Sequence, residues 1–436
     1  MPILAANNAA SELASSASAG ATSLTLTASA GAKFPAITNV LDFFYVRLGT
    51  DSSNEVVKVT ARSSDTLTCS ATVGAWPSTT PVALTLCKEY LDFVPKLITA
   101  DITVTVKSSG GDFTTLASAL AALQNVVISK SAVVTIEIDN GTWTQGAPIY
   151  DNQISSDRIK ITGKNVYTKN LSNVYGTPTG SAGAWSIVIT LSDVTNIAVN
   201  DYVLIRAASG GTNPTYLLGC HKVTAVDSPN SRITVLSKHR STSYPSGAVT
   251  NTGNVDVIKT VLDFSGFSGF FVGDRSTGSN GSGFYGVEKA VLVGDSTGNG
   301  ISVFDNARFQ VSAGGVYPYL GISGFSVGVR CAKAGYAMTN FLVCSGADAY
   351  AVSLSSRAHA RLFTSILSGA ASDTVILDNS AYADVSSAVL TGAGGTYSIN
   401  ATHGSVAYAL SATLESPATV TPAVNTTGND NSYIDT

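Results

Sequence analysis

The 436 residues carry 25 Lys and Arg against 29 Asp and Glu, a formal net charge of −4, and 12% of positions are charged while 44% are hydrophobic. A chain of this size exceeds one hydrophobic core, so two or three domains are expected, and its hydrophobicity and small net charge exclude a disordered chain. No basic stripe, no run of roughly 20 apolar residues and no zinc or phosphate-loop spacing occurs, so nucleic acid, membrane insertion, metal and cofactor are not expected.

Residues 1–20 lack the basic start and the apolar stretch of about 7 to 15 residues that mark a secretory signal. Cys69, Cys87, Cys220, Cys331 and Cys344 form no CxxC pair, and the nearest histidine contact is the adjacent Cys220-His221. Reduced, packed thiols are expected.

Residues 1–95 form a first β module. Thr22-Ser-Leu-Thr-Leu-Thr, Phe43-Phe-Tyr-Val-Arg-Leu, Glu55-Val-Val-Lys-Val-Thr, Thr66-Leu-Thr-Cys and Val82-Ala-Leu-Thr-Leu alternate apolar and polar residues between turn residues. Period two of this kind predicts a small antiparallel barrel or sandwich. Residues 96–180 hold a short helix and the first coils of a second architecture. Phe113, Leu116, Leu120 and Leu123 fall on one helical face, with Asp112 or Thr114 as cap, and Val133-Val-Thr-Ile-Glu-Ile-Asp-Asn-Gly-Thr-Trp reads as a strand ending at a turn.

Residues 181–260 repeat the order of the first module: Trp185-Ser-Ile-Val-Ile-Thr, Asp201-Tyr-Val-Leu-Ile-Arg, His221-Lys-Val-Thr-Ala-Val and Arg232-Ile-Thr-Val-Leu. Val57-Lys-Val-Thr-Ala-Arg and His221-Lys-Val-Thr-Ala-Val agree most closely, which predicts two modules of one design. Residues 261–415 are punctuated by Gly294, Gly324, Gly346, Gly369 and Gly392, at intervals of 30, 22, 23 and 23. A period near 22 with three short strands per unit is that of stacked parallel β coils. The long first interval places an insertion at Ala313-Gly-Gly-Val-Tyr-Pro-Tyr-Leu, with Tyr317 and Tyr319 at its tip, either as a sugar-stacking platform or as packing across a neighbouring chain. Residues 416–436 are too polar for another coil and are expected to be an extended tail.

Gly111-Asp-Phe-Thr-Thr leading into the helix, followed by a strand into Asn140-Gly-Thr-Trp, resembles the opening of pectate-lyase-like and pectinesterase-like β-helices, where a helix covers the open end. Taken with the coils, the chain resembles bacteriophage tailspikes and β-helical tail fibres. Ala21-Thr-Ser-Leu-Thr-Leu-Thr-Ala-Ser-Ala-Gly-Ala-Lys-Phe-Pro, with Glu55-Val-Val-Lys-Val-Thr-Ala-Arg and Asp65-Thr-Leu-Thr downstream, looks like the virion-attachment modules of phage tail proteins. The resemblance implies an all-β protein: a right-handed parallel β-helix, homotrimeric, with one or two small barrel modules. It further implies attachment to other tail or virion proteins by the N-terminus and recognition of a host surface glycan. It places the protein in a virion tail, assembled in the host cytoplasm and released by lysis.

Many tailspikes cleave polysaccharide with two carboxylates. In the coils, Asp295, Asp348 and Asp373 fall at offsets from the glycine that differ from those of Asp305, Asp378 and Asp384. Catalytic candidates are Asp274, Glu288 and Asp305, but Asp305 precedes Asn306 as corner residues do, and the other two have basic neighbours, as solvated ion pairs do. His221, His239, His359 and His403 lack a nucleophile elbow or matched acid. The acids therefore lean toward a receptor-binding appendage without turnover. The alternatives are a depolymerase, glycosidase or lyase, with a site between subunits, or a cellular β-helical adhesin.

Overall fold

The computed structural model describes residues 9–37, 43–50, 52–85, 96–151, 153, 155–209, 217–238, 253–273, 284, 286–311, 320–339, 342–368, 370–391, 398–414, 420–421 and 433–435. The chain divides into two compact units, Met1–Lys96 and Leu97–Thr436.

In the first unit, strands Ala10–Glu12, Ser23–Thr25, Phe44–Thr50, Ser53–Ser63, Thr66–Cys69 and Pro81–Leu84 form one antiparallel sheet. A Leu13–Leu26 bridge joins its two edge strands. Alternation decides what is buried: Phe44, Val46, Leu48, Val57, Val59 and Leu67 face the core while the residues between them face out.

The second unit is a parallel β-helix. Its first ladder runs through Ile102–Val106, Val134–Ile138, Ile159–Gly163 and Gly286–Glu288. A Phe284–Phe309 bridge then links it to Arg308–Val311, Tyr336–Thr339, His359–Arg361, Tyr382–Asp384, Val406–Tyr408 and Tyr433–Asp435. The second ladder begins at Gly141–Thr144 and the third at Ile149–Tyr150, and each has eight strands.

The glycine period is the coil period. Along the second ladder Leu292 pairs with Ile322, Ile322 with Cys344, Cys344 with Leu367 and Leu367 with Leu390. These steps are 30, 22, 23 and 23 residues, the same as the glycine intervals. Inward columns stack continuously: Phe270, Ile301, Val329, Val352 and Val375 on the third ladder, and Phe309, Ala337, Ala360, Ala383 and Ala407 on the first.

Corners between the third and first ladders are pairs of left-handed residues: Asp305-Asn306, Lys333-Ala334, Ser356-Arg357 and Asn379-Ser380. Such conformations cost about 1 kcal/mol each for non-glycine residues. Each corner is held by the next, since the N–H groups of Asn306, Ala334, Arg357 and Ser380 donate to Lys333, Ser356, Asn379 and His403 carbonyls at 2.9–3.3 Å.

The expected cover helix spans Leu116–Ala122 and buries Leu116, Ala119 and Leu120 in the core shared with Val134, Ile136 and Ile138. Its cap is Thr115, not Asp112 or Thr114. Thr115 and Ser118 satisfy each other's backbone N–H in a reciprocal capping box. Asp112 is occupied elsewhere, accepting from the Thr105 N–H and hydroxyl at 2.7 and 2.9 Å.

Two boundaries differ from the sequence reading. The second small module is a closed barrel of Val166–Ser181, Ala184–Leu191, Tyr202–Ile205, Gly219–Asp227, Arg232–Ser237 and Gly253–Ile258. Its first strand lies before residue 181 because Val166–Ser181 pairs by a backbone ladder that two bulges interrupt, and this breaks the alternation that sequence reading relies on. The tail is not wholly extended away from the coils. Val420–Thr421 pairs with Ile399–Asn400 and Tyr433–Asp435 pairs with Val406–Tyr408, so two short strands form a further rung. Ile434 is buried there in the core of the coils.

The two barrels share one design. Read in chain order, both have the ring order first, second, fifth, fourth, third, sixth strand. Both also bulge at the same place, between Val59 and Ala61 in one and Val223 and Ala225 in the other. The second barrel lies on the outer face of the second ladder. Val261, Val291, Val343 and Ile366 of that ladder are buried in one cluster with Leu204, Cys220 and Val203 of the barrel. At Gly219 a Cβ would stand 2.3 Å from Ser345 Oγ, and the Cys220 N–H donates to that hydroxyl at 2.8 Å.

Candidate binding face on the first ladder

With the barrel covering the second ladder, the first ladder presents a long outward strip below Phe284. Parallel register stacks Arg308, Tyr336, His359, Tyr382 and Val406 in one outward column. Gln310, Met338, Arg361, Asp384 and Tyr408 form the adjacent column. Rungs about 4.8 Å apart bring like positions into ring contact. Arg308 lies 5.3 Å over the Tyr336 ring, and centroid distances are 5.4 Å for His359–Tyr382 and 5.5 Å for Tyr382–Tyr408. Partial burial raises the Tyr382 phenol above its ordinary range, with the Asp384 carboxylate adding to the shift.

At the head of this strip is a cleft of about 390 Å³, lined by Asp157, Arg158, Phe284, Arg308, Gln310 and Tyr336 among others. Arg158 and Asp157 are held there by a one-turn 3-10 helix, Ser156–Arg158, leading into the first-ladder strand Ile159–Gly163. Aromatic faces, guanidinium donors and an amide converge on this cleft, a combination suited to the apolar faces and hydroxyl rims of sugars. Among the described residues Asp157 is the one acid that lines it, whereas general acid–base cleavage of a glycosidic bond uses two.

Of the five residues singled out from sequence, Asp274, Tyr317 and Tyr319 lie outside the described residues. Asp305 is a corner residue with φ +50°, and its carboxylate is 4.0 Å from Lys333 Nζ. Glu288 is 4% exposed and ion-paired at 2.6 Å, with Lys160 rather than with its neighbour Lys289. The pair is therefore not a solvated one. Register is the cause: Lys160 stands opposite Gly286 and Thr162 opposite Glu288 one rung away. No described hydrogen bond, ion pair or shared cleft joins Glu288 to Asp305.

The aromatic strip was missed. A signal for it existed, because Tyr336, His359 and Tyr382 recur at the coil period of 23. A smaller aromatic group, Tyr150, Phe271 and Phe304, stands on the outer side of the third ladder at centroid distances of 5.8 and 6.1 Å.

The fold and this face define a parallel β-helix with an aromatic and cationic groove. The sequence matches no protein-family model and no curated protein. Among solved structures it is similar to the Gp54 tailspike of Acinetobacter baumannii bacteriophage AP22 in complex with A. baumannii capsular saccharide. That likeness has 8% identity over 69% of this chain and 63% of that one, with a TM-score of 0.19. It is also similar to the tailspike protein gp49 from Pseudomonas phage LKA1, at 11% identity over 72% and 53% of the two chains and a TM-score of 0.20. The chain thus spans less than two thirds of the length of either.

Proposed function

We propose that this chain is a bacteriophage tail appendage that binds host surface polysaccharide along the first ladder, below the Phe284–Phe309 bridge. The observation that carries the binding half of this reading is the outward column Arg308, Tyr336, His359 and Tyr382, in which Arg308 contacts Tyr336 and His359 contacts Tyr382, with the cleft at its head. A rung spacing of about 4.8 Å is comparable to the rise of one pyranose residue, so successive rungs offer ring faces and planar donors to successive sugars. The virion half rests on the sequence resemblance, carried by residues 21–35, 55–62 and 65–68 of the N-terminal module, to tail-protein attachment modules. In this reading the chain is a homotrimer, docked to tail or virion proteins by the first barrel, assembled in the host cytoplasm and released by lysis.

The test is adsorption of the fluorescently labelled full chain to a panel of bacterial strains, before and after periodate oxidation of surface glycans. Periodate-sensitive adsorption that weakens about fivefold or more in Tyr382→Ala supports the reading. Adsorption that survives periodate but not surface proteolysis refutes it, as does adsorption to no strain. Light scattering tests the trimer separately, and a monomer at micromolar concentration removes that part.

One observation favours a depolymerase as the second reading. Glu137, Thr162 and Glu288 form one outward column of the first ladder, which puts two carboxylates two rungs apart. New reducing ends released from the bound polysaccharide, and lost in Glu288→Gln, would establish it. Their absence at saturating protein leaves the non-cleaving reading.

A further inference from the structure

We infer that the cleft at the head of the strip seats an acidic sugar bearing one negative charge, either a carboxylate or a phosphodiester. This inference rests on the glycan-binding reading above. Among the described residues, two guanidinium groups, Arg158 and Arg308, and one carboxylate, Asp157, line the cleft, leaving one positive charge in excess. The internal pair does not cancel it. Arg158 Nε is 3.8 Å from Asp157 Oδ2, beyond hydrogen-bond reach, so the Arg158 fork keeps donor capacity for a ligand.

Arg308 is pre-positioned by its place over the Tyr336 ring, 5.3 Å from the centroid, and a guanidinium held there can still present its planar fork to a ligand. Such a fork matches the paired oxygens of a carboxylate or phosphate and loses little side-chain freedom on binding. Farther along the strip the next guanidinium, Arg361, has a carboxylate of its own nearby, Asp384 at 3.9 Å. The excess of positive charge therefore lies at the cleft, and the rest of the strip is suited to uncharged sugar faces. A neutral sugar in the cleft would desolvate two guanidinium groups without giving them a counter-charge, which is the physical basis of the discrimination.

The experiment uses the full chain on an array of immobilised bacterial glycans in three classes: neutral, uronate- or sialate-bearing, and phosphodiester-bearing. Expected is binding confined to the acidic classes and weakened by salt. The affinity should fall at least tenfold in Arg308→Gln and in Arg158→Gln at unchanged melting temperature, with Arg308→Lys intermediate. A readout without any variant is competition, in which soluble polygalacturonate displaces the protein from a uronate glycan while dextran at equal mass does not. Binding to the uronate arm or to the phosphodiester arm identifies the source of the charge. Binding to neutral glycans, undiminished in both arginine variants, overturns the acidic-sugar inference and leaves the strip as a neutral-sugar site. Binding to no class overturns the glycan reading itself.

Discussion

His221 makes the second barrel acid-labile in a defined window. Its ring is fully buried and donates from Nε2 to the Leu217 carbonyl at 2.8 Å, while Nδ1 has no hydrogen-bond partner. A second proton would have to sit on Nδ1 with nothing to receive it, and burial accordingly pulls the imidazole down to about 4 from 6.5. The unfolded segment takes up the proton first. The stabilising effect of the neutral ring is thus complete above about pH 6.5 and is lost progressively as the pH falls to about 4, below which both states are protonated. A difference of about 2.5 pH units corresponds to roughly 3 kcal/mol, a large share of the stability of a small barrel. Hydrogen exchange of Gly219–Asp227 and Arg232–Ser237, followed by mass spectrometry, reads this directly as opening free energy against pH. It should fall by about 3 kcal/mol across the window, and the slope should vanish in His221→Phe. An imidazole that titrates near 6.5 by NMR, or a Phe variant with the same slope, would falsify the argument. Because Gly219 and Cys220 seat the barrel on Ser345, the same acid step should also raise exchange at Val343 and Ile366.

Three further outcomes follow from packing. A Cβ at Gly321 would meet Val291 Cγ2 at 2.9 Å, Leu204 Cδ2 at 3.0 Å and Cys220 Sγ at 3.1 Å, so Gly321→Leu should overpack the barrel–ladder seam. The expected loss is about 1–3 kcal/mol in urea melts, and an unchanged midpoint contradicts the docking described. Phe270 is fully buried among Phe264, Phe284 and Phe309 at centroid distances of 5.7–6.1 Å. Truncation to Ala should cost about 3–5 kcal/mol by the cavity it leaves, read as the drop in unfolding free energy. Burial raises the thiols of Cys69 to about 11 and of Cys344 to about 12, and pushes Cys220 and Cys331 up as well. In a Cys87→Ser chain at pH 8, a thiol reagent should therefore label none of the four until denaturant is added, and rapid labelling of any one would show that its site opens.

Several features were readable because they depend on neighbours in sequence. The glycine spacing gave the coil step, since a corner needs its turn residues at every rung. The Asp305-Asn306 corner followed from turn chemistry and has left-handed dihedrals. The shared strand order of the two barrels followed from alternation and from the shared Lys-Val-Thr-Ala segment, while the bulge that segment carries in both was seen only in the pairing. Features set by pairing across the fold were not readable. Lys160 reaches Glu288 across 128 positions because two strands lie side by side, and Thr115 rather than Asp112 caps the helix because Thr105 claims the aspartate.

The sequence by itself determined that the chain is β-rich, that its coils repeat near 22 or 23 residues, that a helix covers one end, and that two modules share a pattern. Each of these is written in local period and turn composition, which act over a few residues. Tertiary structure alone decided that the second barrel lies on the second ladder and so buries Val261, Val291, Val343 and Ile366 of that face. It also decided that Tyr336 joins Arg308 and Arg158 in one cleft and that Tyr382 and Tyr408 stand farther along the same ladder. Those outcomes depend on register between strands 22 to 30 residues apart and on an insertion that returns to its own coil. A period in sequence fixes which side of a strand a residue faces, but only the stacked ladders fix which residues from different coils stand together.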